Sequence, residues 1–121
     1  MNITSIFSVA VGAALGGVSR FLIPEWYKVE STKFPYATCF INLIGSFLLG
    51  MIVAWSVKFP LSNSIKLLLG TGFCGGFTTF SAFSLDWLIL IQNGQGLLGI
   101  TYVLVSVLGG LFFAWIGFRL I

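Results

Sequence analysis

Histidine is missing from this chain of 121 residues, and acidic side chains are rare, with three against six lysines and arginines. Without histidine, the chain lacks the side chain that most often transfers protons or binds metal ions near neutral pH. Two of the three carboxylates, Glu25 and Glu30, lie in one predicted loop and form no catalytic pair. The glycine-rich strings are not followed by a phosphate-binding lysine. We therefore do not expect an enzyme.

Charge of either sign is scarce as well. Only 7% of the residues are charged, whereas about a quarter are charged in a soluble domain. In contrast, 58% of the residues are hydrophobic, and the mean hydropathy is +1.07. The chain has no run of basic residues, so a nucleic acid is not an expected partner. The composition predicts an integral membrane protein in contact with the lipid bilayer.

The length of the chain limits how many helices can cross the membrane. One crossing needs about 20 residues, so four spans with short loops fill the chain. The predicted fold class is an all-α membrane protein with four transmembrane helices in a single domain, residues 1–121. The N-terminal segment lacks the basic stretch and cleavage site of a signal peptide and is interpreted as a retained helix. The predicted spans are residues 3–23, 35–57, 65–91 and 97–118.

Proline, aromatic and glycine residues mark the first span and the loop after it. Pro24 is expected to end the helix, and Trp26 and Tyr27 are expected to anchor the following loop at the membrane interface. Gly12 and Gly16 are four residues apart. This spacing predicts that the first helix packs closely against a neighbour.

Small residues are also expected inside the bundle. Ser46 and Gly50 form a second pair of small residues four positions apart in the second span, which is typical of helix packing. Cys39 and Cys74 both lie within predicted spans. They are interpreted as small buried hydrophobic residues, because membrane-embedded positions do not favour a disulfide or a redox motif.

The stretch from Gly70 to Asp86 differs from the other spans, because it carries four glycines and a series of hydroxyl residues. Gly75 and Gly76, together with the threonines at 78 and 79, lower the helix propensity there. We expect the third helix to be broken at mid-membrane. Carbonyl groups freed by such a break can coordinate a cation such as Na⁺. The alternative is a glycine-rich packing contact without an ion.

Lysines and arginines are balanced between the two ends of the predicted bundle. The orientation of a membrane protein follows the asymmetry of these residues. Because the balance is even, we predict insertion in both orientations and an antiparallel, dual-topology homodimer. The alternative is that other cues set one orientation. The two groups are Lys58, Lys66 and Arg119 on one side, and Arg20, Lys28 and Lys33 on the other.

Polar groups inside the spans are mostly hydrogen-bond donors without charge. Asn42 offers an amide NH₂ group beside several hydroxyls. Phe80 and Phe83 are three residues apart and can present the positive edges of their rings to an anion. Donors without a fixed counter-charge suit a small, strongly hydrated anion that must bind and leave again. The hydroxyls are those of Thr38, Thr78, Thr79, Ser81, Tyr102 and Ser106.

Each of these residues also has a structural interpretation. The two phenylalanines can be ordinary core residues, and Asn42 can form an interhelical hydrogen bond that stabilises the bundle. Ser106 can bond back to its own helix, and Tyr102 can serve as an interface anchor. The residues alone leave these interpretations open.

Asp86 is the only acidic residue within a predicted span, and it lies about two turns beyond the expected break. A small proton-coupled exporter of hydrophobic cations would need a carboxylate in mid-membrane. The position of Asp86 argues against that class, although it remains the alternative function. A further alternative is a non-transporting subunit that packs against a larger partner.

Three strings of the chain resemble the Fluc (CrcB-type) family of fluoride channels. They are GGVSR in the first span, Thr38 with Asn42 in the second, and GFCGGFTTFSAFS in the third. The resemblance covers essentially the whole chain. It implies a multi-pass protein of the bacterial plasma membrane that forms an antiparallel homodimer with two pores. It also implies passive export of fluoride that accumulates in the cytoplasm.

The resemblance assigns roles to residues of the second and third spans. Asn42 corresponds to the pore asparagine, and Phe80 and Phe83 correspond to the paired phenylalanine rings of the pore. The backbone carbonyls of Gly75 and Thr78 correspond to the ligands of a structural Na⁺ at the dimer interface.

The resemblance also assigns residues outside the phenylalanine pair. Thr38, Tyr102 and Ser106 correspond to a polar track along the pore, and Arg20 and Asp86 correspond to vestibule or structural positions.

The chain departs from the family pattern at three positions. Ala82 stands where many relatives have threonine, and Ala37 replaces a glycine. Gly110 stands where relatives often have a serine, one turn after Ser106, so the hydroxyl track on the fourth span is interrupted and room for water is gained.

Overall fold

The computed structural model describes residues 2–27 and 34–121, and every regular element in them is helical. Four helical segments are long and apolar enough to cross a membrane, as the sequence predicts. Lys28, Glu30 and Lys33 lie outside the described residues, as do the side chains of Glu25, Trp26 and Tyr27. The elements are α1 (Ile3–Tyr27), α2 (Tyr36–Lys58), α3 (Asn63–Lys66), the π-helix π1 (Leu67–Cys74), α4 (Gly75–Phe77), α5 (Phe80–Gln92) and α6 (Gly96–Leu120).

The first helix is longer than the sequence predicts. It continues through Pro24 to Tyr27, so the prediction that this proline ends the helix is wrong. Proline has no N–H, so it removes the bond to the carbonyl four residues earlier, and its ring crowds that carbonyl. One missing bond near the end of a helix is tolerated. The apolar part of α1 that could cross a membrane nevertheless ends at Ile23.

Glycines bring α1 into backbone contact with the third span. A side chain on Gly12 or Gly16 would overlap the backbone carbonyl oxygens of Leu68 and Phe73. Gly17, the next residue on α1, has no atom within 4 Å of the position of a Cβ. The predicted close packing through Gly12 and Gly16 is therefore confirmed.

Helices α2 and α6 form the most extensive pair of elements in the described structure. A side chain on Gly50 of α2 would overlap the carbonyl oxygen of Ala114, and one on Gly117 would overlap that of Phe47. The predicted packing role of Gly50 is confirmed. Because these glycines fix the distance between the two helices, they also fix the distance across the cavity described below.

The third span is a composite of several helical types. The Ser62 hydroxyl accepts a hydrogen bond from the Ile65 amide and caps α3. The π-helix π1 follows and was not predicted. The helical dihedrals end at Phe77, and Thr78 and Thr79 are extended, with φ/ψ of −79°/155° and −150°/122°. Helix α5 then begins at Phe80.

Apolar side chains cover much of the outer surface of the described helices. Only a few hydrophobic residues are fully buried, and one small core cluster is centred on Tyr102, which is 0% exposed. Cys39 and Cys74 are free and buried, as predicted. This distribution of apolar groups suits a bundle whose outside faces lipid.

Candidate functional site

A cavity of about 580 Å³ lies between α2, α6 and the third span, beside the extended residues Thr78 and Thr79. Of the residues to which the family resemblance assigns a role, it brings together six. No lysine, arginine, aspartate or glutamate is among its lining residues. The six are Asn42, Gly75, Thr78, Phe80, Phe83 and Ser106.

The Asn42 side chain binds the backbone of the extended segment. Its Oδ1 accepts a hydrogen bond from the Thr79 amide at 2.8 Å, and its Nδ2 donates to the Thr79 carbonyl at 3.2 Å. The two bonds hold Thr79 to α2. They also satisfy the Thr79 amide and carbonyl, which are not paired within a helix. An amide NH₂ has two donors, so one N–H of Asn42 remains for a ligand. The interhelical interpretation of Asn42 is thus confirmed, and it leaves a donor at the cavity wall.

The two threonines of the extended segment are bonded in different ways. Thr78 donates from its hydroxyl and from its amide to the Cys74 carbonyl, at 2.8 and 3.0 Å. Thr79 accepts from the Ala82 amide at 3.1 Å and so caps the start of α5. The Thr79 hydroxyl also lies 3.1 Å from that of Ser81. Their local bonds therefore end one helix and begin the next.

Two carbonyl groups lose their helical partners as a result. In an α-helix the Gly75 carbonyl would accept from the Thr79 amide, and the Thr78 carbonyl from the Ala82 amide. These amides bind Asn42 and the Thr79 hydroxyl instead. Gly75 is exposed, and no atom lies within 4 Å of the position of a Cβ there. The donor set at this point consists of backbone oxygens, which are hard ligands suited to a hard cation.

The two phenylalanines have different surroundings. Their ring centroids lie 5.7 Å apart, and Phe83 packs against Tyr102 at 5.0 Å. Phe80 is 80% exposed. Ordinary core packing within the described chain therefore accounts for Phe83 but not for Phe80.

Tyr102 and Asp86 form a pair away from the cavity. The Tyr102 hydroxyl donates to Asp86 Oδ2 at 3.1 Å, and Asp86 itself is half-buried. Neither residue lines the cavity, and Thr38, one turn before Asn42 on α2, does not line it either. Tyr102 instead lies behind Phe83 and supports its ring.

The two remaining predicted site residues lie on α6 and α1. Ser106 lines the cavity, and its hydroxyl points to Cys39 Sγ at 3.9 Å. Arg20 donates from Nε to the Gly76 carbonyl at 3.3 Å. Arg20 therefore fixes the end of α4 to α1, which is a structural contact beside the freed carbonyls.

Sequence reasoning missed the partners of the extended segment. It treated Thr79 only as a possible donor, and it did not pair Asn42 with the third span. One signal was available: a threonine just before an apolar helical stretch is a common N-cap. The contact between Arg20 and Gly76 joins residues far apart in the chain, and no local pattern predicts it.

Comparison with known proteins identifies relatives along the whole chain. The family model described as "CrcB-like protein, Camphor Resistance (CrcB)" matches residues 7–118. The "Fluoride-specific ion channel FluC" of Gloeobacter violaceus is 45% identical over 114 residues, which is 91% of this chain and 90% of that protein. The protein of the same name from Leptospira interrogans is 42% identical and covers 93% of this chain and 91% of its own length.

A more distant relative extends the match to nearly every residue. The "Fluoride-specific ion channel FluC" of Thermus thermophilus is 37% identical over 121 residues, which is 99% of this chain and 95% of that protein. Together with the four helical segments able to cross a membrane, these matches make the chain a multi-pass membrane protein. On the family model and these identities, the chain belongs to the CrcB family.

Proposed function

We propose that this chain is a fluoride-selective ion channel that passively exports cytoplasmic fluoride and so lowers its toxicity. The observation that carries the proposal is the 45% identity to a fluoride-specific ion channel over 91% of the chain. A channel moves an ion without a chemical reaction, so the activity is not enzymatic.

The cavity offers chemistry that suits a small anion. Asn42 keeps one N–H, and the Phe80 ring lies at the wall. Ser106 adds a hydroxyl whose contact with Cys39 Sγ is long, at 3.9 Å, and can be exchanged for the anion. Fluoride is strongly hydrated, so it must exchange water for donors that hold it weakly enough to release it. A wall without lysine or arginine meets that condition, because no fixed positive charge traps the anion.

The alternative of a proton-coupled exporter of multiple drugs is not supported. Such an exporter would bind its substrate and a proton in turn at a carboxylate. Asp86 does not line the cavity, and its carboxylate is bound by the Tyr102 hydroxyl. The relatives reported above carry the name of a fluoride-specific channel.

We further infer that the channel is an antiparallel homodimer. The even count of lysines and arginines on the two sides supports insertion in both orientations. The exposed Phe80 ring supports a second chain that completes the pore wall, since it is 80% exposed in one protomer.

A tag after Ile121 tests dual topology in intact cells. We expect an impermeant reagent added outside to label about half of the copies, because the Lys/Arg balance sets no preferred orientation. Labelling of every copy or of none would contradict the dual-topology proposal. A tag on a single-orientation membrane protein in the same cells serves as the control.

We also propose that the third helix is broken at mid-membrane and that the Gly75 and Thr78 carbonyls bind a structural Na⁺. The loss of their helical amide partners supports this assignment. Backbone oxygens of unwound helices bind Na⁺ in other membrane proteins. One chain offers two such carbonyls, so a second copy in the dimer would supply the same pair.

Anion efflux from liposomes tests both the function and the ion. Liposomes holding the purified protein are expected to release fluoride rapidly and chloride hardly at all. Equal release of the two anions would contradict a fluoride-selective channel. In a parallel preparation, Na⁺ is removed by exhaustive dialysis against N-methylglucamine. We expect a slower fluoride efflux there, and an unchanged rate would contradict the Na⁺ proposal alone.

A further inference from the structure

The Ser46 hydroxyl on α2 lines the cavity without a hydrogen-bond partner among the described residues. Ser46 lies one turn after Asn42, and within the described part of the chain its hydroxyl forms no hydrogen bond. The hydroxyls of Ser8, Ser56 and Thr101 behave differently. Each donates to a carbonyl three or four residues earlier, at 2.8–3.0 Å. The Ser46 hydroxyl is therefore available to a ligand in the cavity.

The Ser46 hydroxyl lies beside Gly110 of α6, where no side chain covers it. A Cβ built on Gly110 would lie 3.6 Å from Ser46 Oγ, which is ordinary contact distance. At the neighbouring Gly109, a Cβ would lie only 2.8 Å from Leu43 Cδ2, so that position is already filled. The space in front of Ser46 exists because residue 110 has no side chain.

The positions on the two helices match each other. Ser46 follows Asn42 by four residues on α2, and Gly110 follows Ser106 by four residues on α6. Four residues correspond to about 6 Å along a helix. The gap between Ser46 and Gly110 therefore lies about one turn beyond the level of Asn42 and Ser106.

A free hydroxyl inside a membrane protein costs free energy unless water or an ion meets it. A serine hydroxyl can rotate so that its O–H donates to an anion. Packing alone, which the sequence predicts for Ser46, would be served equally well by alanine. The hydroxyl thus indicates that this part of the cavity holds solvent or the permeating ion.

We propose that Ser46 and the space over Gly110 form a further solvation site for the permeating anion, one turn beyond Asn42 and Ser106. The inference rests on the proposed function and adds a residue to it. The Ser46 hydroxyl on α2 then takes the place of the hydroxyl that α6 lacks at Gly110. The anion passes from the free N–H of Asn42 to the Ser46 hydroxyl.

Replacement of Ser46 by alanine is the first test, measured as fluoride efflux from liposomes. The Ser46→Ala variant is expected to transport fluoride about tenfold more slowly, the effect of losing one hydrogen bond to the ion. Ser56→Ala is the matched control, because Ser56 lies on the same helix and binds its own backbone. The Ser56→Ala control is expected to release fluoride at the wild-type rate.

Relocation of the hydroxyl separates solvation from packing. The double variant Ser46→Ala with Gly110→Ser places a hydroxyl on the other wall of the same space. It is expected to recover most of the lost rate, whereas Ser46→Ala with Gly110→Ala, which adds a carbon without a donor, is not. If Ser46→Ala does not fold, Ser46→Cys is measured, and a fall in rate is expected because a thiol is only a weak hydrogen-bond donor.

The outcomes distinguish the inference from the proposed function. A wild type that carries no fluoride would overturn the proposed function. If the wild type carries fluoride and Ser46→Ala has the same rate of efflux, the Ser46 site is overturned and the channel function stands. The same holds if the double variant with Gly110→Ser recovers none of the lost rate. An unchanged rate of fluoride efflux in Ser46→Cys, where that variant is needed, would likewise overturn the Ser46 site.

Discussion

Replacement of Asn42 by alanine is expected to slow fluoride efflux by about a hundredfold. The variant loses both hydrogen bonds to Thr79 and leaves the Thr79 amide without its partner. An unpaired buried backbone group costs about 1–3 kcal/mol. The variant also removes the remaining N–H that faces the cavity. We therefore expect a lower thermal midpoint together with the loss of transport, measured on the purified protein and in liposomes.

Asn42→Asp separates the two roles of the side chain. A carboxylate can still accept from the Thr79 amide, but it donates nothing and places a negative charge in a cavity lined by uncharged groups. We expect a midpoint closer to the wild type than that of Asn42→Ala, and fluoride efflux at least as slow. Asn93→Ala, in the exposed turn before α6, is the control for replacing an asparagine. Efflux of Asn42→Asp at the wild-type rate would show that Asn42 does not serve the anion.

The four spans follow from the sequence because length and composition determine them. A run of apolar residues long enough for a membrane has one stable conformation there, the helix. The close contact through Gly12 and Gly16 also follows from a local pattern, since only small residues let two backbones approach. Pro24 shows the limit of such signals. A proline near the end of α1 removes one bond, and the chain continues as a helix beyond it.

The site is less predictable, because its bonds join distant parts of the chain. Glycines and threonines mark where the third span loses helical order, but they do not say what binds the freed groups. The pairing of Asn42 with Thr79 depends on how α2 packs beside that segment. The π-helix before it has no sequence signal that we recognise. The polar residues were predicted as one set, and the structure divides them between the cavity wall and the layer behind it.

This division changes the interpretation of Tyr102 and Asp86. The family resemblance assigns Tyr102 to the polar track and Asp86 to the vestibule. Their hydrogen bond at 3.1 Å places the tyrosine behind the Phe83 ring. Tyr102 therefore fixes the position of Phe83, whereas among the described residues no comparable layer supports Phe80. The two rings of the pair do not have equal structural roles, and a substitution at Phe80 isolates the effect on the ion.

Replacement of Phe80 by isoleucine is expected to slow fluoride efflux by about ten- to a hundredfold while leaving the protomer folded. Isoleucine is apolar but has no positive ring edge for an anion. Because Phe80 is 80% exposed in one protomer, the exchange removes little packing there. The same change at Phe83 would also disturb the contact with Tyr102 and would mix the two effects. The measurements are fluoride efflux from liposomes and the thermal midpoint of the purified protein.

Phe7 provides the matched control for this exchange, because it is 69% exposed on α1 and does not line the cavity. Phe7→Ile is expected to retain wild-type efflux and stability, since one apolar side chain facing lipid replaces another. A normal rate in Phe80→Ile would mean that the ring edge does not assist the anion. A large fall in its thermal midpoint would instead indicate that Phe80 packs against a second chain. In that case the exposed ring is part of the dimer interface, and the anion meets Phe83 and Asn42 without it.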